Sequence, residues 1–254
     1  GFSYMARRAG ISFDGMRVLI LGSGGTSLTA RAVAAEEGAA QIVVISRSGE
    51  TNYENINKFS DFDILINTTP VGMYPKNGDC PVKLDGFTGL RGVIDVIYNP
   101  LRTSLLFDAI KRGIPCTNGL SMLVSQAKFA HELFFSTRVD EPTVQSILSS
   151  VEKDMSNIVL VGMPGCGKST IGELIANKLN REYIDTDMQI EKKTGRSIPE
   201  IFSSRGEEAF RKIESEVICE AGKKSGAVIA TGGGAVTRDE NYRYLKQNGM
   251  VFFI

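Results

Sequence analysis

The stretch NIVLVGMPGCGKSTIGELIANKL, residues 157–179, decides how the second half of this 254-residue chain is read. Asn157–Val161 is an apolar run of strand length, and Lys168–Leu179 has helical spacing. The turn between them, Gly162 to Ser169, matches G-x4-G-K-[ST] in full, in the strand–loop–helix context that motif needs. Its glycines let backbone N–H groups point inward at phosphate oxygens. A helix opening at Lys168 adds the partial positive charge of its amino terminus. The motif predicts an ATP site built from Gly165, Cys166, Gly167, Lys168, Ser169 and Thr170. In it Lys168 reaches the β- and γ-phosphates and Ser169 ligates Mg²⁺. A glycine turn without a ligand is the bland alternative, and the ordered strand, loop, Lys-Ser pair and helix weigh against it.

Outward from this loop the chain alternates strands and helices. Downstream, Glu182–Ile184, Ala227–Ala230 and Met250–Ile254 read as strands, and Ile198–Ser203 and Glu207–Lys223 as helices. Upstream, Arg17–Leu21, Gln41–Ile45, Asp63–Ile66 and Gly92–Val96 read as strands. Thr26–Glu37, Leu101–Arg112 and Leu120–Phe135 read as helices. This alternation predicts an α/β chain with two parallel sheets, a Rossmann-like unit followed by a P-loop unit. The more polar segment Ser136–Ser156, with a closing helix around Thr143–Glu152, separates them. We therefore expect domains at 1–150 and 157–254.

The composition is globular, with 42% hydrophobic and 23% charged residues. Twenty-nine basic residues balance 29 acidic ones, so no global field favours nucleic acid or an acidic membrane. Cys80, Cys116, Cys166 and Cys219 are far apart and form no CxxC pair, which fits a reducing cytoplasm. There is no apolar run of about 18 residues. His131, the one histidine, reads as structural, since a metal site needs partners.

In the first half, GSGGTS (22–27) follows a strand and opens a helix, a variant of the dinucleotide-binding turn. Gly22, Ser23, Gly24, Gly25 and Thr26 are its pyrophosphate candidates. The second strand ends at Ser46-Arg47-Ser48. An acidic residue there would take the ribose 2′-hydroxyl of NAD, whereas Arg47 between hydroxyls suits the 2′-phosphate of NADP. Glu50, close by, works against that charge argument.

Three further strings follow in order: NTTPVGM (67–73), DVIYNP (95–100) and GLSMLVSQA (119–127). With GSGGTS they make residues 1–140 resemble the carboxy-terminal domain of shikimate dehydrogenase. The resemblance implies that Val96, Gly119 and Met122 border the nicotinamide, and that Tyr98 and Gln126 hydrogen-bond the substrate. Met122 and Leu123 fit equally as core. Ser46 stands where that family usually has Asn, and a second basic residue near Thr51 is lacking. After the P-loop come Asp185-Thr-Asp187, Phe210-Arg211 with Glu214, and Thr231-Gly-Gly-Gly234. In this order they make 157–254 resemble shikimate kinase. That resemblance implies that Asp185 helps Ser169 hold Mg²⁺ and that Asp187 orients or deprotonates the attacking hydroxyl. Arg211 would clamp the shikimate carboxylate, and Gly232, Gly233 and Gly234 would let backbone approach the ring.

Together these readings predict a bifunctional enzyme, with 3-dehydroshikimate and shikimate as small-molecule substrates. The dehydrogenase family's catalytic Lys–Asp pair and the kinase family's lid are expected outside this sequence, so the chain reads as the central piece of a longer polypeptide. Two rivals stay open: a nucleotide-binding regulatory module without catalysis, and a fusion of a different dehydrogenase with a different small-molecule kinase. Oligomeric state is not legible.

Overall fold

The run RVLIL at 17–21 is apolar throughout because its strand is covered on both faces. Val18 and Ile20 pack with Phe2, Met5, Ala30 and Ala34, whereas Leu19 and Leu21 pack with Leu65, Leu105 and Ala109. The computed structural model describes residues 1–254, which divide into two compact units, 1–150 and 151–254.

The first unit runs α1 (Phe2–Arg8), β1 (Arg17–Leu21), α2 (Gly25–Glu36), β2 (Gln41–Ile45), β3 (Ile64–Asn67), β4 (Gly92–Asp95), α3 (Ser104–Lys111), β5 (Cys116–Thr117), α4 (Leu120–Phe135) and the first ten residues of α5 (Glu141–Met155), whose last turn belongs to the second unit. Its five strands form a parallel sheet in the order β2-β1-β3-β4-β5. The chain leaves β1 for β2 on one side and returns to β3 on the other, so a topological switch point opens beyond the carboxyl ends of β1 and β3. The helix expected from Leu101 begins only at Ser104, because Thr103 caps it by accepting from the Leu106 N–H.

The second unit runs β6 (Asn157–Val161), α6 (Lys168–Leu179), β7 (Tyr183–Asp185), α7 (Thr186–Thr194), α8 (Ile198–Gly222), β8 (Val228–Ala230), α9 (Asp239–Lys246) and β9 (Gly249–Phe253). Its parallel sheet has the order β7-β8-β6-β9. Val159, Val161, Ile184 and Ile229 form its core with Ile218 and Leu245. α8 starts at a Ser197–Glu200 capping box and breaks at Gly206, whose φ of 78° is left-handed. Both sheets are parallel, as the alternation predicts. No helix is long and apolar enough to cross a membrane.

Candidate functional site

In the second unit the loops that follow β6, β7 and β8 carry the candidate residues. Gly165 and Gly167 have left-handed φ values of 77° and 92°, which glycine adopts without strain. α6 begins at Lys168 with Gly167 as its cap and no side chain accepting from its first N–H groups. Those donors, with the exposed Ser169 and Thr170, are left to a phosphate. The Lys168 side chain is buried. Its Nζ donates to the carbonyls of Gly162 at 2.9 Å and Met163 at 2.6 Å, and lies 3.5 Å from Cys166 Sγ.

Ser169 Oγ donates to Asp185 Oδ2 at 2.8 Å, so a hydroxyl and a carboxylate oxygen sit side by side at the mouth of the loop. Mg²⁺ prefers oxygen ligands of this kind and takes only one or two from protein, leaving the others to water and phosphate, so the pair fits that ion. Asp185 Oδ1 caps α7 by accepting from the N–H groups of Asp187 at 3.0 Å and Met188 at 3.2 Å. The Tyr183 hydroxyl also reaches Asp185 Oδ2, at 3.2 Å.

Burial, followed by repulsion from Asp185 and Glu214, lifts the Asp187 carboxyl to about 6, and Lys168 partly offsets the rise. A carboxylate held there is suited to accept a proton near neutral pH. Arg211 faces the same loop. Its Nη1 donates to the buried Glu214 Oε2 at 2.8 Å, and its Nη2 lies 3.4 Å from Glu207 Oε1. These bonds orient the guanidinium and leave further N–H donors for an anion.

Gly232–Gly234 face Asp187, Pro164 and Arg211. A Cβ at Gly232 would lie 2.6 Å from Asp187 Oδ1, one at Gly233 would lie 2.5 Å from Pro164 Cδ, and one at Gly234 would lie 2.6 Å from Arg211 Nη1. The constraint is firmest at Gly233, which meets the Pro164 ring and backbone nitrogen, whereas Asp187 and Arg211 present side-chain ends that can shift. The Gly232 N–H donates to Thr186 Oγ1 at 3.1 Å, which fixes this turn against the start of α7.

In the first unit, α2 opens at Gly25 with Gly24 as its cap and no side-chain acceptor, so the Gly25 and Thr26 end offers free donors beside the exposed Ser23. Gly22 has φ 102°, and a Cβ there would lie 2.8 Å from Thr68 Oγ1, so the turn after β1 closes on the end of β3. Beyond β2, Ser46 Oγ donates to the Ser48 carbonyl at 3.0 Å, and Arg47 is exposed. A cleft of about 380 Å³ lies at the ends of β3 and β4, lined by Thr68, Thr69, Met73, Val96 and Tyr98 among others. Gly119 packs directly on the Val96 carbonyl, which a Cβ would strike. Met122 is half-buried against the core, whereas Leu123 is exposed, so the core reading fits the former only. Gln126 is exposed on α4 against Gly1 rather than in that cleft, and His131 is exposed with its ring 4.8 Å from Phe135.

Beneath the cleft lies a network that sequence reasoning missed. Asp95 is fully buried. It accepts from Thr103 Oγ1 at 2.6 Å, Asn67 Nδ2 at 3.0 Å and the Ile97 N–H at 3.1 Å. Burial nonetheless raises its carboxyl to about 6. Asn67 Oδ1 in turn accepts from the Thr69 N–H and hydroxyl, which shapes the loop after β3. Pro164, Tyr183 and Thr186 were missed too: Pro164 and Thr186 fill the variable positions of their motifs, Tyr183 belongs to none, and their roles depend on contacts with residues distant in sequence.

A parallel α/β unit with a crevice at its topological switch point and a second with a phosphate loop beside an acid–arginine cluster define the class as a two-unit α/β chain with nucleotide-binding-type turns. The comparisons give each half a particular relative. Residues 164–254 match the family model described as shikimate kinase. A shikimate kinase of Clostridium botulinum is 54% identical over 99 residues, covering 39% of this chain and 59% of that protein. The chain thus spans under two thirds of the length of the curated relatives it matches. Among solved structures, a chorismate mutase/shikimate 5-dehydrogenase fusion protein from Clostridium acetobutylicum is 31% identical with a TM-score of 0.57, covering 60% of each chain. A shikimate 5-dehydrogenase from Listeria monocytogenes, solved with shikimate and NAD, is 26% identical with a TM-score of 0.50, covering 58% of this chain and 61% of that one.

Proposed function

We propose that the second unit binds ATP and shikimate for phosphoryl transfer to the shikimate 3-hydroxyl, and that the first unit binds NADPH for reduction of 3-dehydroshikimate to shikimate. The observation that carries this reading is the convergence of Asp187, Arg211 and Pro164 on the three glycines 232–234, beside the phosphate loop. Phosphoryl transfer depends on positioning and charge neutralisation, and this cluster supplies both. Arg211 holds the acceptor's carboxylate, and Asp187 accepts hydrogen bonds from its hydroxyls and takes the proton of the attacking one. Lys168 Nζ exchanges its carbonyl partners at Gly162 and Met163 for the nucleotide's phosphates. Ser169 and Asp185 would hold Mg²⁺, which would supply charge neutralisation for the nucleotide's phosphates.

In the first unit Gly22–Thr26 cradle the pyrophosphate, and Ser46, Arg47 and Ser48 hold the 2′-phosphate end. Val96, Gly119 and Met122 border the nicotinamide, which supplies hydride. Tyr98, in the cleft, reaches for substrate hydroxyls, whereas Gln126 lies outside it on α4 against Gly1. Four free cysteines support a reducing, cytoplasmic setting.

The test is calorimetric titration of the full chain with NADPH, MgADP and shikimate. Simultaneous binding of NADPH and MgADP, neither displacing the other, with shikimate bound in addition, is the expected result. Competition between the two nucleotides, or no heat with shikimate, overturns the proposal.

A further inference from the structure

We propose that Tyr183 is a positioning residue for the cation-holding pair, keeping the Asp185 carboxylate where its Oδ2 meets Ser169 Oγ. The inference rests on the reading of Ser169 and Asp185 as the oxygens that hold Mg²⁺. Tyr183 opens β7 two residues before Asp185, so the strand's alternation places both side chains on one face of the sheet. Gly172 on α6 lies against this ring: a Cβ there would be 2.7 Å from Tyr183 Cε2. The ring is thereby seated beside the first turns of α6, which carry Ser169.

The hydrogen bonds divide the Asp185 carboxylate into two ends. Oδ1 is committed to α7 through the Asp187 and Met188 N–H groups. Oδ2 accepts from Ser169 Oγ at 2.8 Å and from the Tyr183 hydroxyl at 3.2 Å, with the Ser169 carbonyl 3.3 Å from the same hydroxyl. A seryl hydroxyl that turns its lone pairs to a cation keeps its O–H for Oδ2, and the Tyr183 hydroxyl is the second donor on that oxygen. With two donors from two elements, the outer half of the carboxylate is held against swinging off the site. The Tyr183 phenol belongs to the site's geometry, touching the end of the nucleotide loop at the Ser169 carbonyl as well as Asp185.

Tyr183→Phe in the full chain keeps the ring against Gly172 and removes only the oxygen. The readout is the dissociation constant for ADP in excess Mg²⁺ and in EDTA, by calorimetry, with the thermal midpoint measured alongside. The expected result is a loss of about five- to tenfold in the Mg²⁺-dependent gain in ADP affinity, with the EDTA value unchanged. A merely structural prop would lower the midpoint and weaken ADP equally in both conditions, and that pattern overturns the proposal. Asp185→Asn is run in parallel. If it leaves the Mg²⁺ gain intact, the cation assignment itself fails. If it collapses the gain while Tyr183→Phe does not, only the positioning role is lost.

Discussion

Replacing Asp95 by Asn removes a charge from the interior of the first unit without emptying its place. An Asn Oδ1 there still accepts from Asn67 Nδ2 and the Ile97 N–H, and its Nδ2 donates to Thr103 Oγ1. Burial lifts the native carboxyl from 3.8 to about 6. At about 1.4 kcal/mol per unit, that difference corresponds to roughly 3 kcal/mol. The folded state binds this proton more tightly than the unfolded state does. The ionised carboxylate therefore costs nothing below about pH 4, costs progressively more between pH 4 and 6, and costs its full amount above pH 6. Asp95→Asn, neutral throughout, escapes this loss. The chain has no tryptophan to report on the unit, so the assay is hydrogen exchange of the β3 and β4 amides at several pH values. Asp95→Asn should gain protection relative to the native protein as pH rises from 4.5 to 7. A difference that does not change with pH, or that favours the native protein most at pH 7, would refute the reasoning. It would mean that the three hydrogen bonds outweigh burial and the carboxylate is ionised from low pH.

Three other outcomes follow from the same geometry. Lys168→Ala should abolish ATP binding and leave NADPH binding intact, measured by titration of each nucleotide; loss of both would argue that the two units are not independent. Gly119→Ala forces a methyl into the Val96 carbonyl and should lower stability by about 1–3 kcal/mol, read as a fall in the first unit's thermal midpoint. Phosphoryl transfer should show an acid limb near pH 6, falling about tenfold per unit below it as Asp187 protonates, and Asp187→Asn should cost about 10²- to 10⁴-fold in kcat/KM for shikimate. A limb near pH 4 would show that the carboxylate is not lifted.

The strands were legible where burial on both faces made the sequence continuously apolar. Arg17–Leu21 and Asn157–Val161 occur in the structure with the bounds read from their residues. Helices without such a signature were missed. α1 is only seven residues long, and its buried face is Phe2, Met5 and Ala6. α9, DENYRYLK, buries only Asn241 and Leu245. α7 went unseen because Asp185-Thr-Asp187 was read as a motif after a strand, whereas Asp185 both ends β7 and caps α7. The parallel α/β class was legible because alternation of elements is a chain-level property. The buried Asp95 network was not, since it joins residues 67, 95 and 103 through contacts that no local pattern encodes.

The central claim is that the cluster around Gly232–Gly234 is a shikimate site, and calorimetric titration of shikimate into the full chain and into Arg211→Ala in the presence of MgADP tests it most directly. Arg211 is the cation placed to meet a carboxylate there, held by Glu214 at 2.8 Å. The account predicts a loss of about 1.5–3 kcal/mol, roughly ten- to a hundredfold in affinity, on removing that charge-assisted contact, with MgADP binding unchanged. Equal shikimate affinity in the two proteins would contradict it.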